Sequence, residues 1–289
     1  HIVRQLKQSH PDLEFAIEKI RTTGDRARKA PLAQIGGQGV FTKELEEALL
    51  AGDIDLAVHS LKDVPTELSP QFRLAAVGMR ADPRDVLISR SGARLAGLPK
   101  EASVGTGSLR RSIQLRALCP DIRICPLRGN IDTRLGKVER GELDGVVLAA
   151  AALLRLGWEE KIAEYLPIEH CLPAVGQGAL AVEVRGEDAK MCELVAVLDH
   201  EPTRQSVAAE RAFLQGLGGG CQAPIAALGV VVDGSLKLEG MVSNVDGSKI
   251  LWASQEGSPG AAEQVGRMLA HKFLEMGAGE LIAGAGQWR

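Results

Sequence analysis

The chain has 289 residues, of which 45% are hydrophobic and 25% charged, a composition typical of a globular protein with two or three domains. A formal net charge of −3 indicates no general affinity for polyanions, and an aromatic content of 3% argues against a stacking surface for single-stranded nucleic acid. No apolar run reaches the roughly 20 residues that a membrane-spanning helix needs, so we expect neither nucleic acid nor a membrane among the partners.

Five cysteines are spread along the chain without a CxxC pair: Cys119, Cys125, Cys171, Cys192 and Cys221. An odd number at wide spacing disfavours both a zinc site and a disulfide framework, and reduced thiols fit a cytoplasmic protein better. The chain opens at His1 without an initiating methionine. We expect that its true beginning is absent, so the lack of a targeting segment carries no weight.

Up to Ser89, the patterns predict two helices and four strands. Helical spacing ahead of His10-Pro11 predicts the first helix, and a second is bracketed by Thr42 and Gly52. Alternating or apolar segments predict the strands: Leu13–Ile20, Asp53–Val58, Arg73–Met79 and Val86–Ser89. The segment 82–85 that joins the last two strands could be a hinge.

The dipeptide Lys62-Asp63 follows one of these strands, in the run Val58-His59-Ser60-Leu61-Lys62-Asp63-Val64-Pro65. Because Pro65 cannot continue a ladder, both side chains are expected in the loop past the strand. The carboxyl edge of an open α/β sheet is where ligands bind, so the pair could hold an anionic substrate that exchanges protons. The alternative is a solvated pair that caps the next turn.

The middle of the chain alternates strand and helix and carries a weak internal repeat. Strands are predicted at 102–104, 122–127 and 179–184, the last returning to the first lobe, and helices from Leu109, after Asn130 and over 149–156. The same order of features occurs twice, in Leu45–Val58 and in Leu135–Leu148: a helix, then a glycine, an acidic residue, an aspartate and an apolar strand. The repeat is either chance similarity or the mark of two α/β lobes that face each other across a cleft.

The C-terminal part has a different pattern, with a helix over 202–217, strands at 228–232, 236–242 and 249–253, and a last helix over 259–275. The turns Asp233-Gly234 and Asp246-Gly247 suit hairpins. A small α+β domain is therefore expected after the two lobes.

Arginines gather where predicted strands pass into helices. Gly105-Thr106-Gly107-Ser108-Leu109-Arg110-Arg111 opens a helix, where free N–H groups and the helix dipole favour an anion. Two arginines in that first turn oppose the dipole, which a bound carboxylate or phosphate would explain, although both could instead point to water. The spacing matches no nucleotide fingerprint. With Arg128, Arg134 and Arg155 near later junctions, the pattern indicates a substrate with several carboxylates.

Cys221 follows three glycines, Gly218 to Gly220, in a loop that could bring its thiol close to a ligand. The thiol could be a nucleophile or, as is more usual, an inert and partly buried group. His59 is interpreted as a strand-end histidine that local backbone satisfies.

Together these stretches resemble the porphobilinogen deaminase (hydroxymethylbilane synthase) family, in the family's order and over nearly the whole chain. The matching segments are 32–47, 58–65, 82–85, 105–111, 127–130 with 133–135, 172–178 and 218–224. The resemblance implies an α/β fold of two lobes like those of type II periplasmic binding proteins, plus the small C-terminal α+β domain. The implied boundaries are 1–79 with 179–198 for the first lobe, 84–172 for the second and 201–289 for the third domain.

The resemblance also implies a transferase of tetrapyrrole biosynthesis, which deaminates four porphobilinogens and joins them into the linear tetrapyrrole hydroxymethylbilane. The chain grows on a dipyrromethane cofactor, thioether-linked to the cysteine that matches Cys221. The family's catalytic aspartate falls on Asp63. Its cofactor-binding residues fall on Lys62, Asp63, Ser108, Arg110, Arg111 and Arg134, and its substrate-binding residues on Arg128, Arg134 and Arg155. No metal is implied; the enzyme is expected to be monomeric and to pass its product to uroporphyrinogen-III synthase.

Two departures from the family pattern stand out. The family's opening strand and its Arg-x-Ser segment would precede His1, and Gln38 occupies a glycine-rich, mobile loop where the family commonly has lysine. Two alternatives to the enzyme are a non-catalytic two-lobed anion-binding protein, which needs neither Asp63 nor the thiol, and an inactive truncated relative.

Overall fold

The computed structural model describes residues 1–22, 42–218 and 223–283, so Gln38 and Cys221 lie outside the described residues. Three separate sheets make up the fold, and helices cover them. The expected α/β class is confirmed. Within the described ranges, no helix is both long enough and apolar enough to cross a membrane.

The first sheet has three antiparallel strands in the order β1-β8-β2, where β1 is Ala57–Ser60, β2 is Phe72–Val77 and β8 is Leu180–Arg185. Strand β8 thus returns from far along the chain and pairs with both neighbours. Helices α1 (Ile2–Ser9), α2 (Lys43–Ala51) and α6 (Ala189–Val195) belong to this region. Its core includes Ile2, Leu6, Ala76, Val182 and Val195.

The strand predicted over Leu13–Ile20 is wrong. These residues adopt no regular structure and pair with none of the described strands. Leu13 and Ile17, which the alternation would place on a buried face, are 44% and 71% exposed. Because a half-buried strand needs both a ladder partner and a core beneath it, the alternation alone did not suffice.

The second sheet has the strand order β5-β4-β6-β3-β7. Its strands are β3 (Asp85–Ser89), β4 (Ser103–Thr106), β5 (Arg123–Pro126), β6 (Gly145–Ala149) and β7 (Glu164–Tyr165). Its helices are α3 (Leu109–Leu118), α4 (Ile131–Glu139) and α5 (Ala150–Leu156). Apolar cores form on both faces, which is why β6 is buried along its whole length.

Strand direction in the second sheet decides which residues lie at the edge where the parallel strands end. Strands β4, β5 and β6 are parallel, so the segments that follow them emerge together. Strand β3 runs antiparallel to β6 and pairs Asp85 with Ala149. The start of β3 therefore lies at the same edge as the ends of its parallel neighbours, and it brings the carboxylate of Asp85 there.

The third sheet is an antiparallel meander of β9 (Ile225–Val232), β10 (Ser235–Ser243) and β11 (Ile250–Gly257). Helices α7 (Glu201–Gly216) and α8 (Ala262–Glu275) pack on it, with the rings of Phe213 and Phe273 5.2 Å apart, and α9 (Ala278–Ala283) follows. The predicted hairpin at Asp233-Gly234 is confirmed: both residues have positive φ, as a two-residue primed turn requires.

Two segments without regular structure tie the three sheets together. Residues 78–84 lead from β2 to β3, and residues 172–179 lead back to β8. The fully buried carboxylate of Glu210 on α7 binds both segments and β9. It accepts hydrogen bonds from the Arg80 guanidinium at 2.6 and 3.0 Å, from the Gly176 N–H at 2.7 Å and from the Gly229 N–H at 2.8 Å.

Candidate functional site

Asp63 ends a short 3-10 turn, Leu61–Asp63, that follows β1 directly. The buried side chains of Leu61 and Val64 anchor the turn on either side, and the Leu61 N–H donates to the carbonyl of Ala179 at 3.0 Å. Gly176 packs on the turn with φ of +72°, and a Cβ there would lie 3.2 Å from the Lys62 nitrogen. Lys62 and Asp63 thus lie in the turn just past the strand, where the sequence predicted them.

The Asp63 carboxylate is open to solvent, yet protein surrounds it closely enough to change its chemistry. Desolvation by this surrounding protein raises the pKa of Asp63 more than the positive charges of Lys62, His59, Arg111 and Arg134 lower it. Burial likewise lowers the pKa of Lys62, against the raising effect of Asp63. A solvent-accessible carboxyl group with a raised pKa is suited to proton transfer.

Arg110 and Arg111 do not point to water; they are 4% and 6% exposed, and both bind Asp85. Arg110 donates from Nη1 to Asp85 Oδ2 at 2.8 Å and to the Leu172 carbonyl at 2.6 Å. Arg111 donates from Nε and Nη2 to Asp85 Oδ1 at 3.0 and 2.7 Å. The alternative of two solvated arginines is thus wrong, and an internal carboxylate offsets much of their charge.

Further groups complete the surroundings of Asp85, whose side chain is fully buried. Gln177 Nε2 donates to its Oδ1 at 2.8 Å, and the Cys171 thiol lies 3.5 Å from its Oδ2. Although burial alone would raise it, the pKa of Asp85 is held well below the usual carboxyl range by the two arginines. Burial and the Asp85 charge together raise the pKa of Cys171 to about 12, which leaves that thiol protonated at neutral pH.

One atom of this network lacks a partner. The Nε of Arg110 is buried and makes no hydrogen bond to any described residue. A buried donor without an acceptor costs free energy, and an acceptor oxygen of a bound ligand would remove that cost. The network therefore keeps one unused donor on the arginine pair.

Helix α3 begins at Leu109 as predicted, and Ser108 caps it, since its Oγ accepts the Arg111 N–H at 3.4 Å. Asn130 caps α4 in the same way through the Thr133 N–H at 3.0 Å. These caps set where each helix begins, and with it the positions of the arginines in the first turns.

Lys62, Arg128, Arg134 and Arg155 carry positive charges that no described carboxylate pairs within 4.0 Å. Arg134 donates from Nε to the Gly129 carbonyl at 2.8 Å, and burial followed by Arg111 and Arg128 lowers its pKa. Arg155 instead donates to the Gly178 carbonyl at 2.7 Å, and burial lowers its pKa. Neighbouring cations that disfavour one another's charge form a site that an anion would stabilise.

Sequence reasoning missed three of the groups that shape this site. Asp85 was predicted only as part of the possible hinge 82–85, Gln177 only as part of the matching segment 172–178, and Glu183 only as part of a strand. The interpretation of His59 as satisfied by local backbone is wrong, because its Nε2 lies 2.9 Å from Glu183 Oε2 on the neighbouring strand. The one available signal was a lone acid in the otherwise apolar run Leu180–Val184.

Cys221 lies outside the described residues, and the residues on both sides of it in the chain are defined. Helix α7, which carries Glu210, ends at Gly216, and Gly218 follows with φ of +63°. On the other side, Ala223 packs against the core of the third sheet.

Comparison with known proteins gives consistent matches along the chain. The family model described as "Porphobilinogen deaminase, dipyromethane cofactor binding domain" matches residues 1–193, and "Porphobilinogen deaminase, C-terminal domain" matches residues 204–275. A porphobilinogen deaminase of Desulforudis audaxviator is 49% identical over 282 residues, which cover 98% of this chain and 91% of the relative. One of Pelotomaculum thermopropionicum is 50% identical over 286 residues, covering 99% and 92%.

Among solved structures, the Bordetella pertussis BvgS periplasmic VFT2 domain has a TM-score of 0.39 and 17% identity over 68% of this chain and 74% of that chain.

Proposed function

The chain belongs to the porphobilinogen deaminase family, and from this membership we propose how its own residues carry out the reaction. The enzyme is a transferase of tetrapyrrole biosynthesis that deaminates porphobilinogen and joins four units into hydroxymethylbilane. The observation that carries the proposal is the accessible Asp63 carboxylate with a raised pKa, set among Lys62, Arg111 and Arg134.

Asp63 is the catalytic residue in this proposal. A carboxylate close to the pyrrole nitrogen stabilises the positive charge that develops on the ring as ammonia leaves the substrate. The raised pKa also lets Asp63 accept a proton more readily than an ordinary aspartate. Lys62, beside it in the same turn, offsets the charge of the carboxylate when both are ionised.

Arg128, Arg134 and Arg155 bind the substrate. Each porphobilinogen brings an acetate and a propionate, and guanidinium groups bind carboxylates through paired hydrogen bonds. Because no described carboxylate pairs with these three arginines, their charges are available to such a ligand. Of these three arginines, Arg134 interacts electrostatically with Asp63, since the charge of each residue alters the pKa of the other.

The residues present fit the dipyrromethane cofactor. Its carboxylates would be held by Lys62, Ser108, Arg110, Arg111 and Arg134, and its pyrrole N–H groups by Asp63. The unpartnered buried Nε of Arg110 is the observation that favours this fit. When bound through Cys221, the cofactor supplies a permanent primer for chain growth. Asp85 holds Arg110 and Arg111 in place.

An intact-mass measurement on the purified protein tests the proposal directly. We expect a mass excess equal to two linked pyrroles, consumption of porphobilinogen, and loss of both in Cys221→Ala. Cys119→Ala is the matched control and should keep both. A protein of unmodified mass that binds carboxylates without consuming porphobilinogen would instead support the non-catalytic binding protein, which the set of unpaired cations also fits.

We also propose the division into 1–79 with 179–198, 84–172 and 201–289, each of which contains one of the three sheets. The enzyme works as a monomer in the cytoplasm, because one chain supplies every described site residue and Cys119, Cys125, Cys171 and Cys192 are free thiols. Its linear product passes to uroporphyrinogen-III synthase, a ring-closing enzyme. Light scattering should give the mass of one 30.7 kDa chain.

A further inference from the structure

Arg211 on α7 holds the polypeptide immediately after Asp63. Its Nη1 donates to the Val64 carbonyl at 3.3 Å, and its Nη2 donates to the carbonyls of Pro65 and Thr66 at 2.6 and 3.1 Å. One guanidinium thus binds three successive carbonyls. The guanidinium donates from two separate nitrogens in a planar fork of fixed geometry, whereas an ammonium carries all of its donors on one nitrogen at the end of a flexible chain.

The same helix supports the Asp63 turn from a second direction. Glu210, the residue before Arg211, accepts the Gly176 N–H, and Gly176 packs on Leu61 and on the Lys62 backbone. One turn further along α7, Gln215 donates to Glu67 at 2.9 Å. Helix α7 therefore holds the turn that carries Asp63 through hydrogen bonds, although the two lie about 150 residues apart in sequence.

We infer that Arg211 is a positioning residue for the reaction, which holds the turn that carries the Asp63 carboxylate at a set place on α7. This inference rests on the proposed role of Asp63. A carboxylate that exchanges protons with a substrate must be held within a narrow range of positions, and the three carbonyls that Arg211 binds follow Asp63 directly in the chain.

The test compares Arg211→Met and Arg211→Lys with the control Arg267→Met, all as primer-loaded holoenzymes. Arg267 is an exposed arginine on α8 that pairs with Glu263. We expect both Arg211 variants to lose at least about tenfold in kcat, with KM for porphobilinogen changed little, because a small displacement of a catalytic group costs rate rather than binding. Millimolar guanidinium ion should restore part of the rate of Arg211→Met alone.

A merely structural role gives a different result. It predicts a lower Tm for the Arg211 variants, with normal kcat per folded molecule and no response to guanidinium, and that outcome overturns the inference. Should Arg211→Met not fold, Arg211→Lys decides, and a normal kcat in that variant rejects the inference. Variants that fold but fail to load the primer would also reject it, by placing Arg211 in primer attachment.

Asp63→Asn separates this inference from the function on which it rests. If Asp63→Asn keeps near-normal turnover, the proposed role of Asp63 fails, whatever Arg211 does. If Asp63→Asn loses turnover while both Arg211 variants are normal, only the inference about Arg211 fails.

Discussion

Arg111 donates two hydrogen bonds to a single oxygen of Asp85, at 3.0 Å from Nε and 2.7 Å from Nη2. The other oxygen of the same carboxylate accepts a hydrogen bond from Arg110 at 2.8 Å. Two adjacent buried arginines thus share one buried anion. Because each arginine also lies in the first turn of α3, the pairing fixes the start of that helix beside the start of β3. This is the edge of the second sheet where the parallel strands end.

Asp85→Asn should destabilise the protein by about 3–5 kcal/mol at pH 7, because it leaves two buried guanidinium groups without a counter-charge. Urea unfolding measures the loss. Glu142→Gln, which removes the partner of the exposed Arg140, is the control and should change stability little.

The loss of unfolding free energy caused by Asp85→Asn should also depend on pH. The folded-state pKa of Asp85 lies below its unfolded value, so its stabilisation is present above the ordinary carboxyl pKa and declines as pH falls below it. The difference in unfolding free energy between wild type and variant should therefore become smaller as the pH falls. An equal deficit at pH 7 and pH 3 would contradict the ion-pair explanation.

Asp63→Asn should nearly abolish porphobilinogen consumption while the protein stays folded. The pKa of Asp63 is raised in the folded state, so ionised Asp63 lowers stability as pH rises through that value. The variant should consequently melt at the same temperature as wild type at pH 7, or higher. Asp55→Asn, at an exposed position two residues before β1, serves as the control. Turnover within a few-fold of wild type in Asp63→Asn would refute the assigned role.

His59→Gln should move the acid limb of the rate profile to higher pH. The positive charge of His59 is among those that lower the pKa of Asp63, so its removal raises that pKa further and protonates Asp63 at a higher pH. Turnover measured from pH 5 to pH 9 reports the shift. His271→Gln, which changes an exposed residue paired with Glu275, should leave the acid limb of the rate profile unchanged. A shift of the acid limb to lower pH in His59→Gln would contradict the prediction.

Arg134→Met should raise KM for porphobilinogen by about tenfold to a hundredfold, the cost of losing a hydrogen bond to a charged group. Arg134 is only half-buried and donates to one backbone carbonyl, so the fold should survive its replacement. Arg140→Met, at the opposite end of α4, provides the matched control. An unchanged KM together with normal chain growth would exclude Arg134 from the binding site.

Cys171 should resist alkylation in the native protein. Its thiol is fully buried beside Asp85, and its pKa of about 12 leaves almost no thiolate at pH 7.5. Peptide mass spectrometry after iodoacetamide treatment should find Cys125 modified in the native state and Cys171 modified only after unfolding. Equal labelling of the two cysteines before unfolding would contradict the buried position.

The amino-acid sequence by itself determined those features that depend on near neighbours. Leu61 and Val64 flank Lys62-Asp63 as apolar anchors, Ser108 and Asn130 cap the helices that follow them, and Asp233-Gly234 makes a two-residue turn. Each follows from side chains within a few residues, and local patterns predicted the turn and the starts of the two helices. The motifs were distinctive enough to identify the family, and the comparisons confirm it.

Only the tertiary structure decided what the site residues contact. Asp85 reaches Arg110 across 25 residues and Gln177 across 92, because β3 enters the second sheet antiparallel to β6. No local pattern encodes that neighbour, so the pair of arginines could equally have faced water. The run Leu13–Ile20 has the alternation of a strand but no strand beside it among those described. Hydrogen-bond partners far apart in sequence are chosen by the order and direction of strands, and these arise only when the whole chain packs.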